Sequence, residues 1–228
     1  MTAAVPDIPK VETQIVEMTN AFRRENKLGA VTVNPALAAA AKAFADYLAR
    51  TGTFSHTADG RQPAERIKAS GYKACQVAEN LALNKDSRGF EATDLARRAV
   101  EGWKNSPGHR RNMLTETVTE IGVGVVGGKD QTYIAVQLFG RPESLRYQFR
   151  VENLSAASIG FKFAGQQETL APRMTIRFAS CTPATLTLES ARQQGAERRL
   201  DARYEPADGE RFTITGDSLS SVRIERGN

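Results

Sequence analysis

The chain has two histidines, His56 and His109. His56 sits in Phe54-Ser55-His56-Thr57-Ala58-Asp59-Gly60, and His109 in Ser106-Pro107-Gly108-His109-Arg110-Arg111-Asn112. Between them Glu79 stands in an apolar setting, Val77-Ala78-Glu79-Asn80-Leu81. Two imidazoles and a carboxylate, carried by three separate turn-rich segments, can converge on one cleft. Imidazole is the commonest neutral metal ligand and titrates near neutral pH. Three protein ligands with an open fourth position are what catalytic zinc uses, because a bound water then acidifies toward neutrality. His56, Glu79 and His109 are therefore the candidate catalytic residues and the candidate ligands of a divalent metal, zinc foremost. The plainer alternative is that both histidines make hydrogen bonds beneath a loop. A buried Glu79 must then be paired or hydrogen-bonded: by an ion pair to Arg66 or Arg110, or as the carboxylate that orients an imidazole.

Serine hydrolase chemistry needs a nucleophile within reach of a histidine and an orienting acid. Ser55 and Ser106 are near the histidines in sequence, but the G-x-S-x-G elbow is absent. Ser106, before Pro107, reads as a helix cap, and Asp59-Gly60 as a turn. Trp103 and Phe54 read as core side chains, with Tyr72 or Phe54 as an alternative cleft wall. Cys75 and Cys181 are too far apart for a local zinc knuckle. They are either small buried thiols or one long-range disulfide, worth about 4–5 kcal/mol in the chain-entropy model and requiring an oxidising compartment.

The elements that must position these groups change character near residue 141. Before it, helical periodicity dominates. Val11, Ile15, Met18 and Phe22 mark an amphipathic helix over 10–27. Asn34-Pro35 opens a second, with Leu37, Ala41, Phe44 and Leu48 on one face and Gly52 after its end. Residues 63–70 predict a short helix stopped by Gly71, and 90–105 another with Leu95, Val100 and Trp103 inward. Ser106-Pro107 starts the helical turn that carries His109. The segments 119–126 and 132–139, joined through Gly127-Gly128-Lys129-Asp130, predict a hairpin. After Pro142 the helical signal stops. About seven short alternating segments, 145–151, 159–163, 174–178, 184–188, 198–204, 211–214 and 222–224, predict a small β-sandwich. The expected organisation is an N-terminal tail 1–10, an α+β domain 11–141 and an all-β domain 142–228.

Residues 1–141 carry 19 Lys and Arg against 15 Asp and Glu, and residues 142–228 carry 12 against 11, so the net charge of +5 is scattered rather than striped. With no clustered basic motif, nucleic-acid binding is not expected. No apolar run approaches the ~18 residues of a transmembrane helix. The start Met1-Thr2-Ala3-Ala4-Val5-Pro6 has neither a basic n-region nor an apolar h-region, so no signal peptide is expected as written.

Several spaced motifs in order resemble bacterial members of the CAP superfamily, also called SCP or pathogenesis-related-1-like domains. They are Phe54-Ser55-His56…Asp59-Gly60…Pro63…Arg66-Ile67…Gly71-Tyr72…Ala78-Glu79-Asn80-Leu81, then Trp103…Ser106-Pro107-Gly108-His109-Arg110-Arg111-Asn112-Met113-Leu114, Thr119-Glu120-Ile121-Gly122-Val123-Gly124 and Gln137-Leu138-Phe139-Gly140. The resemblance implies an α-β-α sandwich over residues 11–141, with an open cleft where two histidines and two glutamates can hold a divalent metal. His56, Glu79 and His109 match three of the four; Ser106 stands where the second glutamate would be, and Glu101 is the nearest acidic substitute. Cleft residues are thus His56, Glu79, Ser106 and His109. The eukaryotic disulfide set and aromatic signature are missing, which points to the bacterial branch. The expectation is an exported protein, secreted or periplasmic, with a cleft that binds a peptide, glycan or lipid and can hold zinc. The alternatives are a metal-dependent hydrolase and an adhesion protein that meets a protein partner through the β-sandwich.

Overall fold

The computed structural model describes residues 4–190, 201–216 and 223–227. Asp7 caps the first helix, α1 (Ile8–Glu25), by accepting from the Lys10 amide, and Pro9 occupies its first turn, where a missing N–H costs nothing. The helix therefore starts at Ile8, and residues 8–10 belong to it rather than to a tail. Val11, Ile15 and Phe22 bury one stripe. After β1 (Thr32–Val33), Asn34 Oδ1 accepts from the Ala36 and Leu37 amides and opens α2 (Pro35–Thr51), which Gly52 ends in a left-handed conformation. Next come α3 (Pro63–Ala69), β2 (Ala74–Lys85), α4 (Ala92–Asn105), α5 (Pro107–Met113), β3 (Glu120–Gly127) and β4 (Thr132–Pro142).

The four strands order as β1-β3-β4-β2, with β1 parallel to β3 and the other pairs antiparallel. Successive side chains of a strand point to opposite faces, so two cores form. Leu81, Val136 and Leu138 pack with Leu37, Phe44 and Leu48 of α2. Ala135 and Phe139 pack with Ile15 of α1 and Trp103 of α4. The result is an α-β-α sandwich. A side chain on Gly122 would stand 2.2 Å from the Leu37 backbone and one on Gly124 2.2 Å from the Lys42 amide, so these glycines let α2 press onto β3.

Strand β2 has no clear signature in the sequence. It is an edge strand whose centre carries Glu79 and Asn80, so its apolar alternation is interrupted where the site lies.

The chain divides into two compact units, 1–143 and 144–228. The second is all β: β5 (Tyr147–Asn153), β6 (Ile159–Phe163), β7 (Gln166–Leu170), β8 (Thr175–Ser180), β9 (Leu186–Ser190), β10 (Asp201–Tyr204), β11 (Arg211–Thr215) and β12 (Arg223–Gly227). Sheets ordered β10-β9-β6-β7 and β12-β11-β5-β8 face each other across one core. Phe149 lies 4.8 Å from both Phe163 and Phe178, and Phe161 is 5.2 Å from Phe178, so aromatic rings bridge the sheets. Strand β7 escapes a sequence reading because it is an exposed edge of mostly polar residues. The segments expected over 198–204 and 222–224 lie partly outside the described residues. Both Cys75 and Cys181 are disulfide-bonded, and neither is a free thiol.

Candidate functional site

Three elements deliver the predicted groups. Past α2 the chain makes a turn in which the Ala58 amide donates to Ser55 O and the Gly60 amide to Thr57 O, with Gly60 at positive φ. His56 rides on this turn. Glu79 sits mid-strand in β2, and His109 lies on α5 against the same strand.

His56 Nδ1 lies 2.7 Å from Glu79 Oε1. With the carboxylate as acceptor, Nδ1 carries a proton. The His56 side chain is half exposed, whereas that of Glu79 is only 2% exposed. The other carboxylate oxygen, Glu79 Oε2, accepts from Arg66 Nη2 at 2.8 Å.

Arg66 is the hub. The same Nη2 donates to His56 O at 2.8 Å, and Nη1 donates to Asp59 Oδ1 and Arg61 O, each at 2.8 Å. Its guanidinium lies 3.5 Å over the Phe44 ring. One buried side chain thus joins α3, the turn, β2 and α2. A planar guanidinium suits this role because its donors sit in a fixed fork. Asp59-Gly60 forms the expected turn, and the Asp59 carboxylate in addition holds Arg66.

Two devices fix α5. Asn80 Nδ2 donates to His109 O at 3.2 Å and to Gln137 Oε1 at 2.9 Å, while Asn112 Nδ2 donates to Asn80 Oδ1 at 2.8 Å and to Glu79 O at 3.0 Å. Gln137 Nε2 continues the chain to Thr19 Oγ1, which bonds Ile15 O. Asn80 and Gln137 face each other across the β2–β4 ladder, which puts both amides on the α1 side of the sheet. At the far end, buried Arg23 donates to Met113 O, Thr115 O and Val118 O. Burial holds the Arg23 pKa below its ordinary value, and the carbonyls offset that cost. Sequence reasoning misses Gln137 and Arg23. A single amide in the apolar run Ala135-Val136-Gln137-Leu138-Phe139 is the available signal.

His56 is felt electrostatically at His109. His109 has its pKa lowered first by burial and second by the charge of His56. The His56–Glu79 pair lies on the α2–α3 side of the edge strand β2, and His109 approaches the same strand on α5.

Other expected residues fall elsewhere. Ser106 joins α4 to α5 through its backbone, accepting from the Arg110 amide at 2.8 Å, but its side chain makes no capping bond. Glu101 is exposed and paired with Lys104 at 2.9 Å, so it does not replace a second glutamate. Phe54 is 44% exposed and not a core residue, whereas Trp103 is buried and donates from Nε1 to Leu81 O. Tyr72 is buried too; it donates to Glu120 at the far end of the strands, and burial, then Glu120, raise its pKa.

A three-ligand metal site is a poor fit to these side chains. Both Glu79 oxygens already accept hydrogen bonds, and the carboxylate is sealed beneath His56 and beside Arg66. Only the two imidazoles remain available to a cation. Among the described residues no group of three His, Cys, Asp or Glu is arranged to hold a metal.

The comparisons agree with this architecture. The family described as CAP, cysteine-rich secretory protein family, matches residues 16–139. That is over half of the chain, and the protein belongs to this family. The Bacillus subtilis protein YkwD is 29% identical over 126 residues, 55% of this chain and 46% of that protein. The B. subtilis membrane protein YlbC is 30% identical over 115 residues, 50% of this chain and 31% of that protein. The matched stretch thus spans less than half of either relative. Among solved structures, an extracellular SCP-domain protein from Bacillus anthracis is 26% identical with a TM-score of 0.51, covering 62% of this chain and 45% of that one. An outer surface protein from Borrelia burgdorferi is 24% identical with a TM-score of 0.50, covering 58% of this chain and 93% of that one, and shares the fold.

Proposed function

We propose that this chain is an exported bacterial CAP-domain binding module whose ligand docks over His56 and His109. One observation carries the reading: Glu79 is committed on both oxygens, to His56 Nδ1 and to Arg66 Nη2. A carboxylate so held orients an imidazole. Its side chain is also only 2% exposed, so its remaining lone pairs are shielded from water and from a cation, which counts against the hydrolase alternative. What the site offers a ligand is the half-exposed imidazole of His56 and a His109 whose pKa is lowered first by burial. These suit a hydrogen-bonding peptide, glycan or lipid headgroup. Export is supported by the relative from B. anthracis, an extracellular protein, and by the disulfide-bonded cysteines. Among the described residues no helix is long and apolar enough to cross a membrane.

The test is a screen of short peptides, glycan fragments and phospholipid vesicles against the protein carrying 15N-labelled histidines. A true ligand moves both imidazole resonances, and His56→Ala abolishes its binding. Turnover of any hit that Glu79→Gln eliminates would replace the binding module with the hydrolase. Zinc titration by calorimetry separates the metal question: heats should fall with His109→Ala and stay unchanged with Glu79→Gln.

A further inference from the structure

The second unit is nearly neutral overall, yet its charge is not spread evenly. In the β12-β11-β5-β8 sheet, Arg211 stands beside Arg150, and Arg150 beside Arg177. The neighbours Phe149, Val151, Phe178 and Phe212 point into the core, so the three arginines share the outward face. Strands are spaced ~4.8 Å apart, which sets three guanidinium stems in a line ~10 Å long. Like charges directly opposite one another destabilise a sheet. Arg150 has one acidic partner, Glu152, with its Nε 2.9 Å from Oε1; Arg177 and Arg211 have none among the described residues. A hollow of about 300 Å³ opens at the Arg150–Arg177 end of the line, with Gln148 and Gly209 also lining it. The Glu210 carboxylate there is already taken by Arg226 and the Ala207 amide.

We propose that this face is a docking surface for a linear polymer of phosphate groups. The charge pattern selects the occupant. One row over, Glu152 and Glu225 share the face with threonines, so the positive charge is a line and not a field. A chain laid across the strands meets one guanidinium per strand, and each can grip a phosphate through two donors. A plane of anionic lipid would press against the acidic row as well as the arginines. A single-stranded nucleic acid finds no aromatic on this face, among the described residues, to stack its bases. The proposal is independent of the histidine cluster.

The test uses the whole chain and long-chain inorganic polyphosphate as probe. The triple variant R150Q/R177Q/R211Q should lose about tenfold or more in affinity and about 2 from the slope of log affinity against log salt, at ~0.7 per released ion. R97Q/R98Q on α4, which removes charge from the other unit, should change neither. R177Q alone, at an exposed position, should give a partial loss and guards against misfolding of the triple variant; circular dichroism checks both. Unchanged binding by R177Q and the triple variant overturns the proposal, as does an equal loss in R97Q/R98Q, which would mean simple net-charge attraction. Orthophosphate displacing the polymer at equal phosphate concentration would indicate a single-anion pocket instead. Phosphatidylglycerol vesicles binding as well as polyphosphate, with the same dependence on the three arginines, would make the surface a membrane contact.

Discussion

The two units bury polar groups in different ways. In the CAP unit the buried polar side chains reach across the sequence: Arg23 to residues 113–118, Arg66 to Glu79, and Gln137 to Asn80 and Thr19. In the all-β unit Asn153 and Ser155 close a local turn, through Ala157 O and each other, with one reach to Leu170 O. Its one buried carboxylate among the described residues, Glu210, pairs with Arg226 of the neighbouring strand β12, and the rest of its core is aliphatic and aromatic. A stable fold needs only the second pattern. The first costs desolvation at every member unless the whole network is satisfied. Its concentration around β2 marks where geometry, and not merely stability, is being held.

The contrast is broken most severely by two substitutions of similar cost. Phe149→Ala in the aromatic core should destabilise by about 3–5 kcal/mol, the usual range for a buried aromatic. Arg66→Met should cost about 3–5 kcal/mol because it leaves the Glu79 carboxylate buried without its cation. Denaturant unfolding measures both. The His56 ring resonances tell them apart by NMR: Arg66→Met, which frees Glu79 and His56 O, should move them and Phe149→Ala should not. Adding Glu79→Gln to Arg66→Met should recover part of the lost stability, since the stranded charge goes with it. A recovery of zero would mean that Arg66 acts through packing alone.

A smaller effect sharpens the same distinction. Asn80→Ala removes the donor to His109 O and the acceptor for Asn112, and leaves Gln137 Oε1 without its partner. The expected loss is about 1–3 kcal/mol. Hydrogen exchange should rise over residues 107–113 while the β-sandwich amides stay protected.

How far the sequence reveals this depends on whether a residue's role is local. The helices over 8–25, 35–51 and 92–105 are legible because each buries a stripe, and the second also carries start and stop signals in Asn34-Pro35 and Gly52. The sandwich is legible because Phe161/Phe163 and their like alternate. His56, Glu79 and His109 are visible because their residue types are rare or out of place. Three things are not. Arg66 is one of two candidate partners for Glu79, and choosing between them needs the turn folded. The exposed edge β7 has no apolar side to alternate. The pairing of both Glu79 oxygens, one with His56 and one with Arg66, is a fact of three dimensions and leaves no mark in the order of residues.

The smallest expected effect is a pH dependence that belongs to one unit only. Burial and the neighbouring His56 lower the His109 pKa in the folded protein, while in the unfolded chain a histidine titrates near ~6.5. Above that value both states hold His109 neutral and it contributes no slope. As pH falls through the unfolded pKa, the unfolded chain takes a proton that the folded chain refuses. Unfolding then binds protons, so stability falls with acid until the folded pKa is reached. Both histidines lie in the CAP unit, so the β-sandwich has no such group over this window. Urea unfolding between pH 8 and pH 5 should therefore show midpoints that drop with acid for the wild type, and a shallower drop for His109→Gln. If the sandwich strands lose protection in parallel over the same range, the acid sensitivity is not that of this imidazole.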